Sequence, residues 1–394
     1  MSPEPFRLGV NYWPAHQAMA WLADYDPGGT RQDFQRCTAA GLTTIRVFVR
    51  WADIQPDPNR IDPAAVSRVV DAADAAAEVG AQLIVTLFTG HMSGLNWVPA
   101  WALSPVPTGS DPRFRTSSPG AVLRGGTLRN WYADPGVTLA QERVAATLGA
   151  ALAGHPGVWG WDLGNENSNC TRPPDAESGA SWLCRMAAAL RTADPGRPVT
   201  IGLHLEDLEE DRGIGPAEAA EVCDVVSMHG YPIYAPWASG PTDPRMVPFL
   251  AALTRWLAGG APVLFEEFGL PTRPRSGLVS PMAVADADAA AYAGAVLDGL
   301  WAEGCLGALW WCYTDYDAER FAEPPFDEAI HERSFGLWRA DGSPKPAVEA
   351  VRSRAGRTVR DPPEDRAWID ISPAEFFADR HRLLAHLYRR YSRA

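Results

Sequence analysis

Eight short apolar runs recur along the chain, each followed by a longer stretch with helical periodicity. The runs are RLGVNY (7–12), TTIRVFV (43–49), AQLIVTLF (81–88), VWGWDL (158–163), PVTIGL (198–203), DVVSMH (224–229), PVLFEE (262–267) and GALWWC (307–312). Apolar runs of this length bounded by turn residues predict buried strands. The segments between them are rich in alanine. In 62–80, Asp62 supplies an N-cap, Pro63 opens the first turn and Gly80 ends the helix. Comparable patterns fall near 28–40, 138–153, 178–193, 216–222, 244–258, 285–303 and 345–354. Strand and helix alternating eight times predict an α/β fold, a (β/α)8 TIM barrel whose functional groups gather at the carboxyl ends of the strands. An open doubly wound sheet would need a glycine-rich phosphate turn after its first strand, and NYWPAHQA supplies none.

Two loops break the regular spacing. One follows the third strand, from Thr89 to about Pro135, and is rich in Trp, Pro, Gly and Arg; the other, DYDAERFAEPPFDEAIHERSFG, follows the eighth. Long loops in a compact domain are usually functional. Residues 1–355 read as the barrel and 356–394 as a C-terminal extension. There Phe376, Leu383, Leu384, Leu387 and Tyr391 are spaced to form an amphipathic helix that packs on the barrel.

Composition narrows the chemistry. The formal charge of −13 over 394 residues argues against nucleic-acid binding, which needs basic groups to displace counterions. Lys345 is the only lysine, and its place before a proline disfavours Schiff-base chemistry. No 18-residue apolar run predicts a membrane span, and no basic segment followed by an apolar stretch predicts a leader, so the expectation is a cytoplasmic protein with no membrane partner. The six cysteines form no metal-binding cluster and read as mostly buried thiols, with Cys170 and Cys184 the one pair that could bridge.

The residues that end the strands are polar, aromatic and acidic: Asn11 and Tyr12, Arg46 and Arg50, His91, Asn165 and Glu166, His204, His229 and Tyr231, Glu266 and Glu267, Trp310 and Trp311. They include no G-x-S-x-G elbow and no HExxH pair. A glutamate after the fourth strand and another at the end of the seventh face each other across a barrel mouth. Two carboxylates so placed suit glycoside cleavage, one protonating the leaving oxygen and the other attacking the anomeric carbon, at about 5–5.5 Å apart in the retaining form. Side chains alternate along a strand, so only one of Glu266 and Glu267 should point into the mouth.

GNEN after strand four, HGYP after strand six, FEEFG at strand seven, an arginine in strand two and WW in strand eight together resemble clan A of the retaining glycoside hydrolases. The nearest likeness is to glycoside hydrolase family 5, the cellulase and mannanase family, over roughly residues 6–350. The resemblance implies Glu166 as general acid/base and Glu267 as nucleophile, with Glu266 the competing assignment. It implies Asn165 as the contact to the sugar 2-hydroxyl, and Arg46 as the arginine set against the nucleophile to keep it ionised. Tyr231 and His229 match the strand-six pair, and Trp311 the strand-eight sugar platform, with Trp310 its rival. Asn11, His91 and Trp97 are further candidates for substrate contact, Trp97 because an indole face suits a pyranose. Asn167 and Asn169 read as turn formers.

The expected activity is double displacement on a β-linked oligosaccharide without metal or organic cofactor. A β-mannosidase or mannanase is the first reading, and a β-glucosidase, an endoglucanase or another clan A β-glycosidase the alternative. Walls formed by the two long loops would favour exo action. Two further readings are an inactive carbohydrate-binding barrel and a metal-dependent hydrolase using His91, His204 and His229.

Overall fold

The computed structural model describes residues 4–106, 113–124, 128–364 and 366–393. Part of the long loop after the third strand, residues 107–112 and 125–127, lies outside the described residues. All eight expected strands form: β1 (Arg7–Asn11), β2 (Thr44–Phe48), β3 (Gln82–Thr86), β4 (Val158–Asn165), β5 (Val199–His204), β6 (Val226–His229), β7 (Val263–Phe268) and β8 (Gly307–Trp310). Each pairs in parallel with the next, and β8 returns to β1, which closes the sheet into a barrel.

The helices between them are α1 (Pro27–Ala39), α2 (Pro63–Glu78), α3 (Pro135–Ala151), α4 (Ala176–Ala193), α5 (Pro216–Val222), α6 (Met246–Leu257), α7 (Asp286–Ala302) and α8 (Pro346–Arg352). Asp26, Asp62 and Asp134 cap α1, α2 and α3 by accepting from backbone N–H groups, each followed by proline in the first turn. One apolar cluster lies between sheet and helices. A second, of Ile84, Trp159, Val225, Leu264 and Leu309, fills the lower barrel interior. Two residues further along their strands, Thr86, Ser227 and Glu266 belong to a polar layer above it.

Strand β7 departs from simple alternation. Met228 pairs with Phe265 but His229 pairs with Glu267, so Glu266 is an extra residue in the ladder, and the register with β8 shifts at the same place. Such a bulge re-aims side chains locally. Both Glu266 and Glu267 therefore approach Arg46 inside the barrel, at 3.8 and 2.6 Å, against the expectation that only one would face inward.

After β3 the chain builds a small extension over the barrel mouth: strands Gly90–Met92, Leu95–Trp97, Arg115–Ser118 and Ala121–Arg124, attached to the barrel where Gly90 pairs with Asn165. The single amphipathic helix expected near the C-terminus is two, α9 (Pro373–Ala378) and α10 (Arg380–Tyr391), because Asp379 leaves helical geometry at φ −153° and ψ 59°. On its apolar face Phe376, Leu383, Leu384 and Leu387 are buried, and the Tyr388 ring lies 5.0 Å from Trp237 and 5.2 Å from Phe249 of α6. Cys170 is buried near Asn96 while Cys184 is exposed on α4, so the pair is not bridged. No helix among the described residues is long and apolar enough to cross a membrane.

Candidate active site

Above the polar layer, at the carboxyl ends of the strands, lies a cavity of about 400 Å³. Glu166 reaches it from the end of β4. Gly164, at φ 135°, turns the backbone there, and Asn167 packs its amide where a Cβ would stand. Glu166 itself takes a left-handed conformation, φ 47° and ψ 45°, uncommon for a residue with a side chain and typical of strained functional positions.

Glu267 is held by two donors. Arg46 Nη1 donates to Oε1 at 2.6 Å and the Tyr231 hydroxyl to Oε2 at 2.7 Å. Arg46, fully buried, also donates to Asp162 at 2.6 and 3.1 Å, to Asn165 Oδ1 at 2.8 Å and to Asn11 Oδ1 at 3.2 Å. Asp162 accepts in addition from Thr86 and from the amides of Gly164 and Gly202. Burial works against the Arg46 charge, but the neighbouring acidic groups, Asp162 foremost, outweigh it, and the group stays firmly protonated.

One oxygen each of Glu166 and Glu267 and one ring nitrogen of His229 lie within 4.8 Å of one another. Burial, and then the nearby charge of Glu267, push the Glu166 carboxyl well above its ordinary range. Burial brings His229 down to about 3, so its imidazole is neutral. Its Nδ1 faces Glu166 Oε1 at 3.2 Å. The cluster does not suit a cation: both Glu267 oxygens are occupied by donors, and Arg46 already supplies the positive charge.

The sequence candidates sort by depth. Glu166, Glu267, Asn165, His229, Tyr231, His91 and Trp311 all line the cavity. Asn165 Nδ2 donates to the His91 carbonyl at 2.5 Å, which leaves its second N–H for the cavity. The Trp311 indole donates to Glu332 Oε2 at 3.2 Å, whereas Trp310 points away and donates to the Phe335 carbonyl. Three candidates stand off the cavity. Arg46 and Asn11 lie beneath it, Asn11 donating to the carbonyls of Glu266 and Trp310 at 2.8 and 3.2 Å. Trp97 is buried in the loop, its indole on the Met92 carbonyl and its face beside Arg50, and offers no ring to a ligand.

Asn167 is a turn former, as expected, but Asn169 lines the cavity and donates to Glu166 Oε2 at 3.3 Å. Its distance of three residues from Glu166, one turn of the Asn167–Asn169 3-10 helix, was the available signal. Sequence reasoning also missed Tyr234, Glu332, Phe114 and Arg113 in the lining. Tyr234 follows Tyr231 by three residues; the others come from long loops whose folding has no periodic signature. The three histidines of the metal-hydrolase reading all line the cavity, but among the described residues they form no ligand cluster: His91 bonds Asn96, His204 bonds Ser168 and His229 faces Glu166.

Ion pairs tie the β3 extension across the mouth. Arg113 pairs in bidentate fashion with Glu206 after β5, and Arg115 with Asp327 in the loop after β8, at 2.7–2.8 Å; Arg124 pairs with Glu328. Phe114, between the two arginines, sets its ring 4.2 Å from His91. The two long loops therefore meet and wall one side of the cavity.

The chain is 25% identical over 284 residues to a putative mannan endo-1,4-beta-mannosidase 5 of Oryza sativa subsp. japonica, covering 62% of this chain and 54% of the relative. It spans about half the length of the curated relatives it matches. The GH5_18 protein from Streptomyces cattleya, solved with GlcNAc, superposes with a TM-score of 0.81 at 25% identity, over 98% of this chain and 90% of that one. The exo-beta-1,4-mannosidase Op5Man5 from Opitutaceae bacterium strain TAV5 superposes with a TM-score of 0.73 at 26% identity, over 90% and 61%. Residues 8–317 match the family described as Cellulase (glycosyl hydrolase family 5), and the chain belongs to that family.

Proposed function

We propose that the protein is a retaining β-glycosidase that releases β-linked mannose from short oligosaccharides, with Glu267 as nucleophile and Glu166 as acid/base. The observation that carries this reading is the carboxylate pair, with oxygens within 4.8 Å, close to the roughly 5–5.5 Å that double displacement requires. Glu267 attacks the anomeric carbon while Glu166 gives its proton to the glycosidic oxygen. The aglycone leaves and a glycosyl ester on Glu267 remains. Esterification removes the Glu267 charge, which eases ionisation of Glu166, and Glu166 then takes a proton from the water that cleaves the ester.

Arg46 and Tyr231 orient the nucleophile and balance its charge, Asn165 presents its N–H to the sugar 2-hydroxyl, and Trp311 forms the platform. Residues 1–355 are the catalytic barrel in this reading, and 356–394 an extension packed on it.

Mannose is favoured by the relatives: several are named mannosidases, and the Streptomyces cattleya protein has also been solved, as an E153A variant, with Manb1-4GlcNAc. Exo action is favoured by the wall of joined loops. The test is a panel of aryl β-mannoside, β-glucoside and β-galactoside, the disaccharide Man-β1,4-GlcNAc, and polymeric mannan. Free mannose from the disaccharide and the aryl mannoside is expected. Preference for the glucoside would overturn the mannose assignment, and oligosaccharides released from mannan without free mannose would overturn exo action.

A further inference from the structure

Glu266 is fully buried beneath the cavity, and neither of its carboxylate oxygens has a hydrogen-bond partner. Around it stand Arg46 of β2, Asp162 of β4, Ser227 and His229 of β6, and the thiol of Cys223 before β6. The Ser227 hydroxyl spends its proton on the Ile201 carbonyl at 2.6 Å. Three carboxylates, Asp162, Glu266 and Glu267, thus share one guanidinium.

The hydrogen bonds decide which of the three is not an anion. Asp162 accepts from Arg46, Thr86 and two backbone amides, and Glu267 from Arg46 and Tyr231. Glu266 accepts from none and stands 3.8 Å from Arg46. An unsolvated carboxylate without donors is costly, and a buried carboxyl in that position keeps its proton. Burial indeed raises Glu266 above its ordinary range.

The second orphan is next to the first. His229 Nε2 is buried without a partner, and Glu266 Oε2 lies 3.7 Å from it, about 0.8 Å beyond a normal hydrogen bond. A neutral imidazole carries one proton, on one nitrogen or the other. We infer that Glu266 is a protonated positioning residue whose O–H faces His229 Nε2, fixing the imidazole proton on Nδ1 where it donates to Glu166. The two partnerless groups face one another, and an approach of about 0.8 Å would join them in a hydrogen bond. The arrangement also gives Glu166 a donor that strengthens as Glu166 becomes an anion, so it assists proton delivery to the leaving group. The β7 bulge makes the arrangement possible by letting two consecutive glutamates face inward at different depths. The consequence for catalysis rests on the role of Glu166 proposed above; the tautomer does not.

The test is nitrogen NMR of protein labelled with 15N-histidine, without substrate, the His229 signal being identified by its loss in His229→Asn. At neutral pH the wild type is expected to show neutral His229 protonated on Nδ1. Glu266→Gln, whose amide can donate to Nε2, keeps that tautomer and most of kcat. Glu266→Leu takes away the donor to Nε2, so the Nε2 resonance moves toward that of an unbonded ring nitrogen, and kcat falls about tenfold, as for other outer partners of functional histidines, with little change in KM. A wild-type signal from the Nε2–H form or from imidazolium overturns the inference, as does a Leu variant with the wild-type Nε2 shift or a Gln variant as impaired as Leu. Should Glu266→Leu fail to fold, the wild type and Glu266→Gln decide the question. A tautomer at variance with this inference would leave the Glu166–Glu267 assignment standing, because no substrate is turned over.

Discussion

Glu166 and Glu267 face the same cavity under opposite conditions. Glu267 has two donors on its oxygens, whereas Glu166 is buried beside that negative charge and pushed well above the ordinary carboxyl range. In the proposed role of acid it must hold its proton, so activity is expected to fall as pH rises through its raised pKa, with the basic limb of the pH profile assigned to Glu166. Glu166→Gln is expected to lower kcat on Man-β1,4-GlcNAc by about 10²–10⁴. On a dinitrophenyl β-mannoside, whose leaving group needs no proton, the variant should lose the basic limb.

The same raised pKa carries a stability consequence. The unfolded chain sheds this proton in the ordinary carboxylate range and the folded chain only higher, so wild-type stability is eroded as pH rises between the two. Glu166→Gln should therefore melt above the wild type, with a gap that widens with pH in thermal scans; a constant gap would contradict the burial argument. At this scale the sequence pointed to Asn165, Glu166 and Glu267, which the structure sets in the cavity lining, because polar groups at the tips of apolar strands have few other uses. It misplaced Trp97, since indoles serve loop cores as readily as sugar platforms. It was silent on Glu332, whose contact with Trp311 is purely tertiary.

Elements place these residues through irregularities that periodicity cannot foresee. The alternation rule made Glu266 and Glu267 exclusive, and the bulge in β7 cancelled it. On β5, Gly202 leaves the space that Arg46 and His229 occupy: a Cβ there would stand 2.8 Å from the Gly164 carbonyl oxygen, 3.0 Å from Arg46 Nη2 and 3.1 Å from His229 Cε1. Gly202→Ala is expected to cost about 1–3 kcal/mol by overpacking and to lower kcat by displacing Arg46, as thermal unfolding and kinetics would register. An unchanged kcat would show that the arginine needs no such space.

The extension after β3 is fastened by arginines. Arg113 and Arg124 are exposed and Arg115 is half-buried at the rim, and pairs so near solvent contribute only about 0–1 kcal/mol each to stability. Arg115→Ala should accordingly leave Tm nearly unchanged while raising KM for the aryl mannoside a few-fold and admitting mannan. A variant with unaltered KM and polymer specificity would deny the clasp a part in closing the cleft.

For the whole molecule, eight apolar runs separated by capped helices were enough to specify the closed barrel, because each strand is buried on both faces and reads as a continuous apolar run. The C-terminal extension was legible from its amphipathic spacing, though its break at Asp379 was not, since no proline or glycine marks it. Its aromatic contacts with α6 indicate that it completes the barrel surface. Truncation after residue 355 uncovers Phe249 and Trp237 and is expected to lower Tm or cause aggregation, measurable by thermal scans and light scattering.

The central claim is that Glu267 attacks and Glu166 transfers the proton, with net retention. Azide added to Glu166→Ala and Glu267→Ala during cleavage of an activated aryl β-mannoside tests it most directly. The account expects β-mannosyl azide from Glu166→Ala, formed on the glycosyl-enzyme, and α-mannosyl azide from Glu267→Ala, formed by direct attack opposite the leaving group. The reverse pairing of anomers, or no glycosyl azide from either variant of an enzyme whose wild type cleaves the substrate, would contradict it.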